Sequence, residues 1–117
     1  MKPPSELRVS KDRKLLTVSF PDEEPMQISA EMLRVLSPSA EVQGHSPEQR
    51  VTVAGKRNVA ISEIEPVGNY AVRIVFDDGH ATGLYSWSYL ARLGLEGEKL
   101  WQDYLRELDE KGLSRDA

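Results

Sequence analysis

The first part of the chain alternates between apolar and polar residues in two short runs. Residues 6–10 and 14–20 both follow this period of two, and residues 11–13 between them are all charged. Alternation of this kind on both sides of a short polar connector is typical of a β-hairpin. The sequence therefore predicts two antiparallel strands at the start of the chain.

A third strand and a short helix are predicted next. Residues 26–28 alternate again after a proline-containing turn, and Ser29 is of the type that caps a helix over residues 30–36. Residues 37–58 are less regular, because glycines and prolines interrupt one short apolar alternation at residues 51–53. That segment predicts a long functional or variable loop with at most one strand.

The clearest strand of the sequence covers residues 70–76. Its apolar face carries Val72, Ile74 and Phe76. The Asp-Asp-Gly-His sequence at residues 77–80 is typical of a tight turn, because glycine tolerates a positive φ. Residues 82–85 then predict the partner strand.

Two helices are predicted after this second hairpin. Ser86 is a suitable N-cap for a helix over residues 87–93 that ends at Gly94. The last helix covers residues 98–111, where apolar side chains are spaced three and four apart. Residues 113–117 are expected to be frayed.

Strands dominate the first two thirds of the sequence and helices dominate the last third. This order predicts an α+β fold: a small, mostly antiparallel β-sheet domain with short helices and a C-terminal amphipathic helix packed on the sheet. At 117 residues the chain fits one domain, residues 1–117.

Composition excludes several classes of function. The 39% hydrophobic and 29% charged content is that of a folded protein. A net charge of −4 disfavours nucleic-acid binding, and no apolar run is long enough for a membrane span or a secretory signal. Because the chain has no cysteine, it has neither disulfides nor thiolate ligands. We expect a cytoplasmic protein.

The two histidines are the candidate chemical groups. His80 lies in the predicted turn beside Asp77 and Asp78, and His45 lies in the irregular segment. A carboxylate beside a histidine can orient it for catalysis or metal binding, but turn chemistry alone also explains this sequence. A two-histidine, one-carboxylate iron site would need both histidines, and neither belongs to a ligand motif. With no phosphate loop and no nucleophile elbow, the sequence predicts no enzyme.

Three aromatic residues, Tyr85, Trp87 and Tyr89, are spaced by two. They would line one face of a sheet if the strand continued through Trp87, and they would diverge if a helix began after Ser86. Such a row serves either as packing or as a binding platform.

Two segments resemble a known family. Residues 64–80 (IEPVGNYAVRIVFDDGH) and 83–90 (GLYSWSYL) look like the central motif of the domain found at the N-terminus of gamma-butyrobetaine hydroxylase-type enzymes. Residues 33–45 (LRVLSPSAEVQGH) resemble the form seen in short stand-alone bacterial members. The resemblance covers nearly the whole chain, but it does not extend to the hydroxylases' separate catalytic domain.

The resemblance also implies where a metal site would lie. In the hydroxylases this domain holds a structural zinc through three cysteines, spaced C-x-C-x2-C, and the histidine of the Asp-Gly-His turn. Those cysteine positions fall on Ser37, Ser39 and Val42 here, and the histidine is His80. We therefore expect no zinc, because one imidazole cannot form a tetrahedral site. If the family fold is kept, the 37–45 loop and His80 meet even without metal.

A similar domain is fused, in some organisms, to P-loop scaffold ATPases that handle iron–sulfur clusters. We accordingly expect a non-enzymatic accessory or adaptor domain, linked to iron–sulfur or other metalloprotein maturation by contact with a protein partner and needing no cofactor. The alternative is a small-molecule or metal-responsive binding module centred on His80 and the 37–45 loop. The candidate binding residues are Ser37, Ser39, His45, Asp78 and His80.

Overall fold

The computed structural model describes residues 2–116. These residues contain two three-stranded antiparallel sheets and four α-helices. The first sheet contains β1 (Glu6–Val9), β2 (Leu15–Ser19) and β3 (Met26–Ser29), and the second contains β4 (Ile61–Val67), β5 (Ala71–Phe76) and β6 (Leu84–Ser86). The helices are α1 (Ala30–Val35), α2 (Ala40–Gln43), α3 (Trp87–Leu95) and α4 (Gly97–Glu110). The predicted α+β class is confirmed. Within residues 2–116 no helix is long and apolar enough to cross a membrane.

The first sheet contains the predicted hairpin and packs against the second sheet. In the hairpin register Leu7 faces Val18, and β2 buries Leu16 and Val18 completely. Arg13 in the connecting turn has a φ of 66°, and its guanidinium donates to the carbonyl oxygens of Ile61 and Ser62 at 2.5 and 2.6 Å. The first turn is thereby attached to β4.

The second sheet has β5 at its centre, with β4 and β6 on either side. The predicted apolar face of β5 is buried, whereas Arg73 is directed to the other side and forms an ion pair with Glu65. The predicted partner strand is shorter than expected, because the chain joins the ladder only at Leu84. Before that point the backbone of Gly83 packs closely against Ser37. A Cβ added at residue 83 would lie 2.5 Å from the Ser37 hydroxyl oxygen.

Both predicted serine caps are present, but α3 does not end where the sequence indicates. The Ser29 hydroxyl accepts the Met32 N–H, and the Ser86 hydroxyl accepts the Tyr89 N–H. Gly94 was expected to end α3, yet the helix continues to Leu95. Gly94 serves close packing instead, since a Cβ there would lie 2.6 Å from the sulfur of Met26.

The segment from residue 37 to residue 58 is more structured than the predicted loop. It contains α2 and a short 3-10 turn at Pro47–Gln49, and residues 51–53 form no strand. Backbone groups of this segment bond to helices instead. The Val51 N–H donates to the Val42 carbonyl in α2, and the Val53 carbonyl accepts a hydrogen bond from the Tyr104 hydroxyl in α4.

Helix α4 joins the core through its apolar face, as the amphipathic pattern predicts. Tyr104 and Leu108 form a small buried cluster with Val35 of α1, and Leu100 and Trp101 pack against the main core. These contacts attach α4 to α1 and to the main core.

The chain after α4 is not frayed through residue 116, contrary to the prediction; Ala117 lies outside the described residues. The Arg115 guanidinium donates to both carboxylate oxygens of Glu31 at 2.8 and 2.7 Å. Glu31 is only 6% exposed, and a buried carboxylate requires a paired cation. The Leu113 N–H also donates to the Leu108 carbonyl.

Candidate functional site

The 37–45 loop and the turn of residues 77–80 meet, as the family resemblance implied. Ser37 is fully buried, and its hydroxyl lies 2.9 Å from Nε2 of His80. The side chain of His80 is only 4% exposed. The contact between Ser37 and His80 is therefore closed to solvent.

Hydroxyl groups around the Ser37–His80 pair bond to one another. Ser39 lies 2.6 Å from Thr82 through their hydroxyl oxygens, and its backbone N–H donates to the Ser37 hydroxyl. Thr82 in turn donates to Glu41 at 3.1 Å. We call this set the polar cluster: Ser37, Ser39, Glu41, His80 and Thr82.

Two members of the polar cluster, Glu41 and Thr82, were missed by the sequence reasoning. Glu41 has a local signal, because it stands in the first turn of α2 and its N–H is capped by the Ser39 hydroxyl at 3.1 Å. Thr82 has no such signal, since it comes from the connection between β5 and β6. Only the folded chain brings it beside Ser39.

Asp78 fixes the turn rather than facing a ligand. One carboxylate oxygen accepts hydrogen bonds from Arg34 and Lys56, both at 2.7 Å, and the other accepts the His80 N–H at 3.0 Å. Burial raises the pKa of Asp78, but the hydrogen bonds from Lys56, the His80 amide and Arg34 outweigh it and lower the pKa to about 2. The carboxylate is therefore ionised and fully engaged.

The surroundings of His80 favour a neutral imidazole. Burial lowers its pKa, as does the nearby positive charge of Arg34, while Glu41 and Asp78 act in the opposite direction without reversing the shift. The Glu41 carboxylate lies 3.4 Å from Nδ1. Because a carboxylate can only accept, we assign the ring proton to Nδ1, so that Nε2 accepts from the Ser37 hydroxyl.

His45 does not join the other candidates, which corrects the predicted grouping. Its side chain is exposed, and its backbone N–H donates to the side chain of Gln49. No ion pair or hydrogen bond of its ring with the polar cluster occurs in the described part of the chain. The glycine-containing turn after α2 directs the chain away, since Gly44 adopts a φ of 68°.

The polar cluster does not fit a zinc ion. Ser37 and Ser39 supply neutral hydroxyls already bonded to protein groups, and Val42 supplies no ligand atom. The nearby Arg34 Nη1 is a buried, positively charged donor with no partner among residues 2–116, which is the wrong polarity for a cation. Over the same residues no group of three or more His, Cys, Asp or Glu side chains could hold a metal.

The aromatic row is interrupted at Trp87, because α3 begins directly after Ser86, whereas the Tyr85 and Tyr89 rings stay in contact with their centroids 6.2 Å apart. Tyr85 is fully buried, and its hydroxyl donates to the Leu33 carbonyl at 2.5 Å. Trp87 points elsewhere and donates its indole N–H to the Asn69 carbonyl at 2.8 Å. Tyr89 donates to the Leu36 carbonyl at 2.5 Å.

A second aromatic residue lies beside Trp87. Tyr70 is 60% exposed, and its ring packs over Gly68, where a Cβ would lie 2.9 Å from Cε1. Tyr70 and Trp87 line a shallow depression of about 240 Å³. We call this surface the aromatic patch: Asn69, Tyr70, Ser86, Trp87 and Ser88.

Comparisons with known proteins agree on the family and the fold. The family model described as gamma-butyrobetaine hydroxylase-like, N-terminal, matches residues 7–91. Two proteins with NMR solution structures share 47% and 45% sequence identity with this chain, with TM-scores of 0.85 and 0.84. The alignments cover 99% and 98% of this chain and 91% and 86% of the other chains.

A third similar structure is the crystal structure of a protein of unknown function from Acidithiobacillus ferrooxidans, which belongs to the DUF971 family. It shares 35% identity, with a TM-score of 0.64, over 78% of this chain and 91% of its own. A comparison with curated proteins finds no significant match.

Proposed function

The chain belongs to the gamma-butyrobetaine hydroxylase-like N-terminal family, and from this premise we propose that it is a non-enzymatic accessory domain that binds another protein. The polar cluster supports the non-enzymatic part of the proposal. Its hydroxyls bond to protein groups and its histidine is buried, which leaves no accessible nucleophile or imidazole base among them, and the exposed Glu41 carboxylate accepts from Thr82 and lies beside the imidazole. The metal site implied by the resemblance is, in this proposal, replaced by these hydrogen bonds.

The single observation that carries the proposal is the aromatic patch. Tyrosine and tryptophan are enriched at the energetic centres of protein interfaces, because they bury a large area with few rotatable bonds. Here the Trp87 indole is fixed by the Asn69 carbonyl, and the exposed Tyr70 ring is supported by Gly68. A preorganised aromatic pair loses little conformational entropy when a partner covers it.

The proposed setting is iron–sulfur or other metalloprotein maturation in the cytoplasm. Its support is the resemblance to domains fused to P-loop scaffold ATPases, together with a cysteine-free composition that suits a reducing compartment. The alternative centred on His80 has less support, because the imidazole is 4% exposed.

The proposal is tested by measuring binding to the purified P-loop scaffold ATPase of the same organism. We expect Tyr70→Ser to weaken binding about tenfold or more, because it removes the exposed ring. The matched control is Val51→Ser, which removes another exposed apolar side chain, 49% accessible, outside the aromatic patch. Absence of binding by the unmodified protein would refute the link to this partner. Equal binding by Tyr70→Ser would refute the role of the patch.

A further inference from the structure

A cavity of about 220 Å³ lies where α3 and α4 meet the end of α1 and the segment around α2. Its apolar lining comes from Leu36, Leu93 and Leu100. The cavity shares no lining residue with the aromatic patch, so its role is independent of the function proposed above.

Two tyrosines form fixed walls of this cavity. The Tyr89 hydroxyl donates to the Leu36 carbonyl at 2.5 Å, and the Tyr104 hydroxyl donates to the Val53 carbonyl at 2.6 Å. Burial raises the pKa of Tyr104 to about 12, so this phenol is neutral near pH 7. Because both hydroxyl protons are committed to the backbone, the rings contribute mainly apolar surface.

Charged side chains are found at the rim of the cavity. Arg50 is paired with Glu107, which also accepts from Thr52, and the pair is therefore internally balanced. Arg92 has only a long contact with Glu96, 3.6 Å between Nε and the carboxylate, and both side chains are about half exposed at 54% and 48%. An exposed pair of this geometry is weak.

The guanidinium groups of Arg50 and Arg92 both influence the pKa of Tyr89, which lines the same cavity. Burial raises the pKa of Tyr89, while the positive charges of Arg92 and Arg50 lower it. Of the acids that line the cavity, Asp103 is paired with Arg106 at 3.1 Å and Glu107 with Arg50. Among the charged side chains that line the cavity, Arg92 is therefore the one whose nearest ion-pair partner is farthest away, 3.6 Å against 3.1 Å for Asp103.

We propose that this cavity binds a small monocarboxylate with a short apolar body, its carboxylate on Arg92 and its hydrocarbon on Leu36, Leu93 and Leu100. A planar guanidinium suits a carboxylate because two parallel N–H groups can donate to its two oxygens. An apolar cavity of about 150 Å³ accepts a benzene molecule. A volume of about 220 Å³ therefore suits an acid the size of hexanoate.

The test is an NMR titration of the ¹⁵N-labelled protein with hexanoate at neutral pH and low salt. We expect saturable shifts at the amides of Tyr89, Leu93 and Leu100, with a Kd of about 1 mM, given the ligand's size. Hexanol, which has the same body without the charge, should bind about tenfold more weakly. No saturable shift with hexanoate, or equal affinity for hexanol, would overturn the proposal.

Variants identify the charge responsible. Arg92→Gln should lower hexanoate affinity about tenfold, and it should not disturb the fold because the side chain is 54% exposed. The matched control is Arg8→Gln, which removes a 70%-exposed arginine on β1, away from the cavity, and should leave affinity unchanged. Unchanged binding by Arg92→Gln in a protein with a native spectrum would assign the carboxylate elsewhere and refute the proposed site.

Discussion

The polar cluster and the cavity both take residues from the 37–50 segment, and they use their polar groups differently. In the cluster, hydroxyls and the imidazole bond to one another, with Ser37 2.9 Å from His80 and Ser39 2.6 Å from Thr82. At the cavity, Arg92 lines the same space as three leucine side chains and has only a long contact with Glu96. Buried polar groups that are mutually satisfied stabilise the fold, whereas a weakly paired charge beside an apolar cavity remains available to a ligand.

This difference separates stability from binding in a testable way. Removing a member of the polar cluster should lower the free energy of unfolding and leave the cavity intact. Removing Arg92 should leave the free energy of unfolding unchanged and weaken binding in the cavity.

The largest expected effect on stability comes from His80→Ala. We expect a loss of about 2–3 kcal/mol in the free energy of unfolding, because the buried Ser37 hydroxyl loses its partner. Urea denaturation measures it, and hexanoate shifts measured on the still-folded protein should be unchanged.

The matched control for His80→Ala is His45→Ala, which removes an exposed imidazole and should change stability by less than about 0.5 kcal/mol. His80→Gln should lose less than His80→Ala, since its amide can still bond to Ser37. Equal stabilities for the His80→Ala and His45→Ala proteins would show that the polar cluster contributes little to the fold.

A smaller effect is expected from pH. The pKa of His80 is lowered in the folded protein from its ordinary value of 6.5, first by burial and then by Arg34. The unfolded chain therefore binds a proton at a higher pH than the folded chain does. Stability should be full above pH 6.5 and should fall as the pH decreases through the folded-state pKa.

Denaturation curves measured at a series of pH values between neutrality and pH 5 test this. The His80→Gln protein, which has no imidazole at this position, should show a flatter profile over that range. A profile of the unmodified protein that rises on acidification would contradict the assignment of a neutral, buried imidazole.

Local signals were sufficient to predict much of the fold. The alternation in β1, β2 and β5 corresponds to real strands, and Ser29 and Ser86 cap the helices that follow them. Each of these features depends on residues close together in the chain, so the periodicity and cap rules apply directly.

Other features depend on distant partners and could not be predicted in the same way. Gly94 looks like a helix end until Met26 is known to pack against it, and the C-terminal segment looks frayed until Arg115 is seen to pair with the buried Glu31. Helix α2 was missed because it is only four residues long, too short to show a helical period.

The candidate site was predicted in part. The family motif correctly predicts that Ser37, Ser39 and His80 meet, but no residue pattern indicates that the imidazole is 4% exposed or that Thr82 bonds to Ser39. The cavity was not predicted, because its lining comes from Leu36 at the end of α1, from α2, α3 and α4, and from the turn before residue 51. The spacing of residues within one segment cannot predict a cavity formed by segments far apart in the chain.

The central claim is that hydrogen bonds, and not a metal ion, hold the 37–45 loop against His80. The most direct test is metal analysis of the protein purified without chelators from zinc- and iron-supplemented cells. A variant combining Ser37→Cys, Ser39→Cys and Val42→Cys is the positive control, since three thiolates and His80 could bind about one zinc per chain. We predict no stoichiometric zinc or iron in the unmodified protein, and about one tightly held ion per chain would contradict the account.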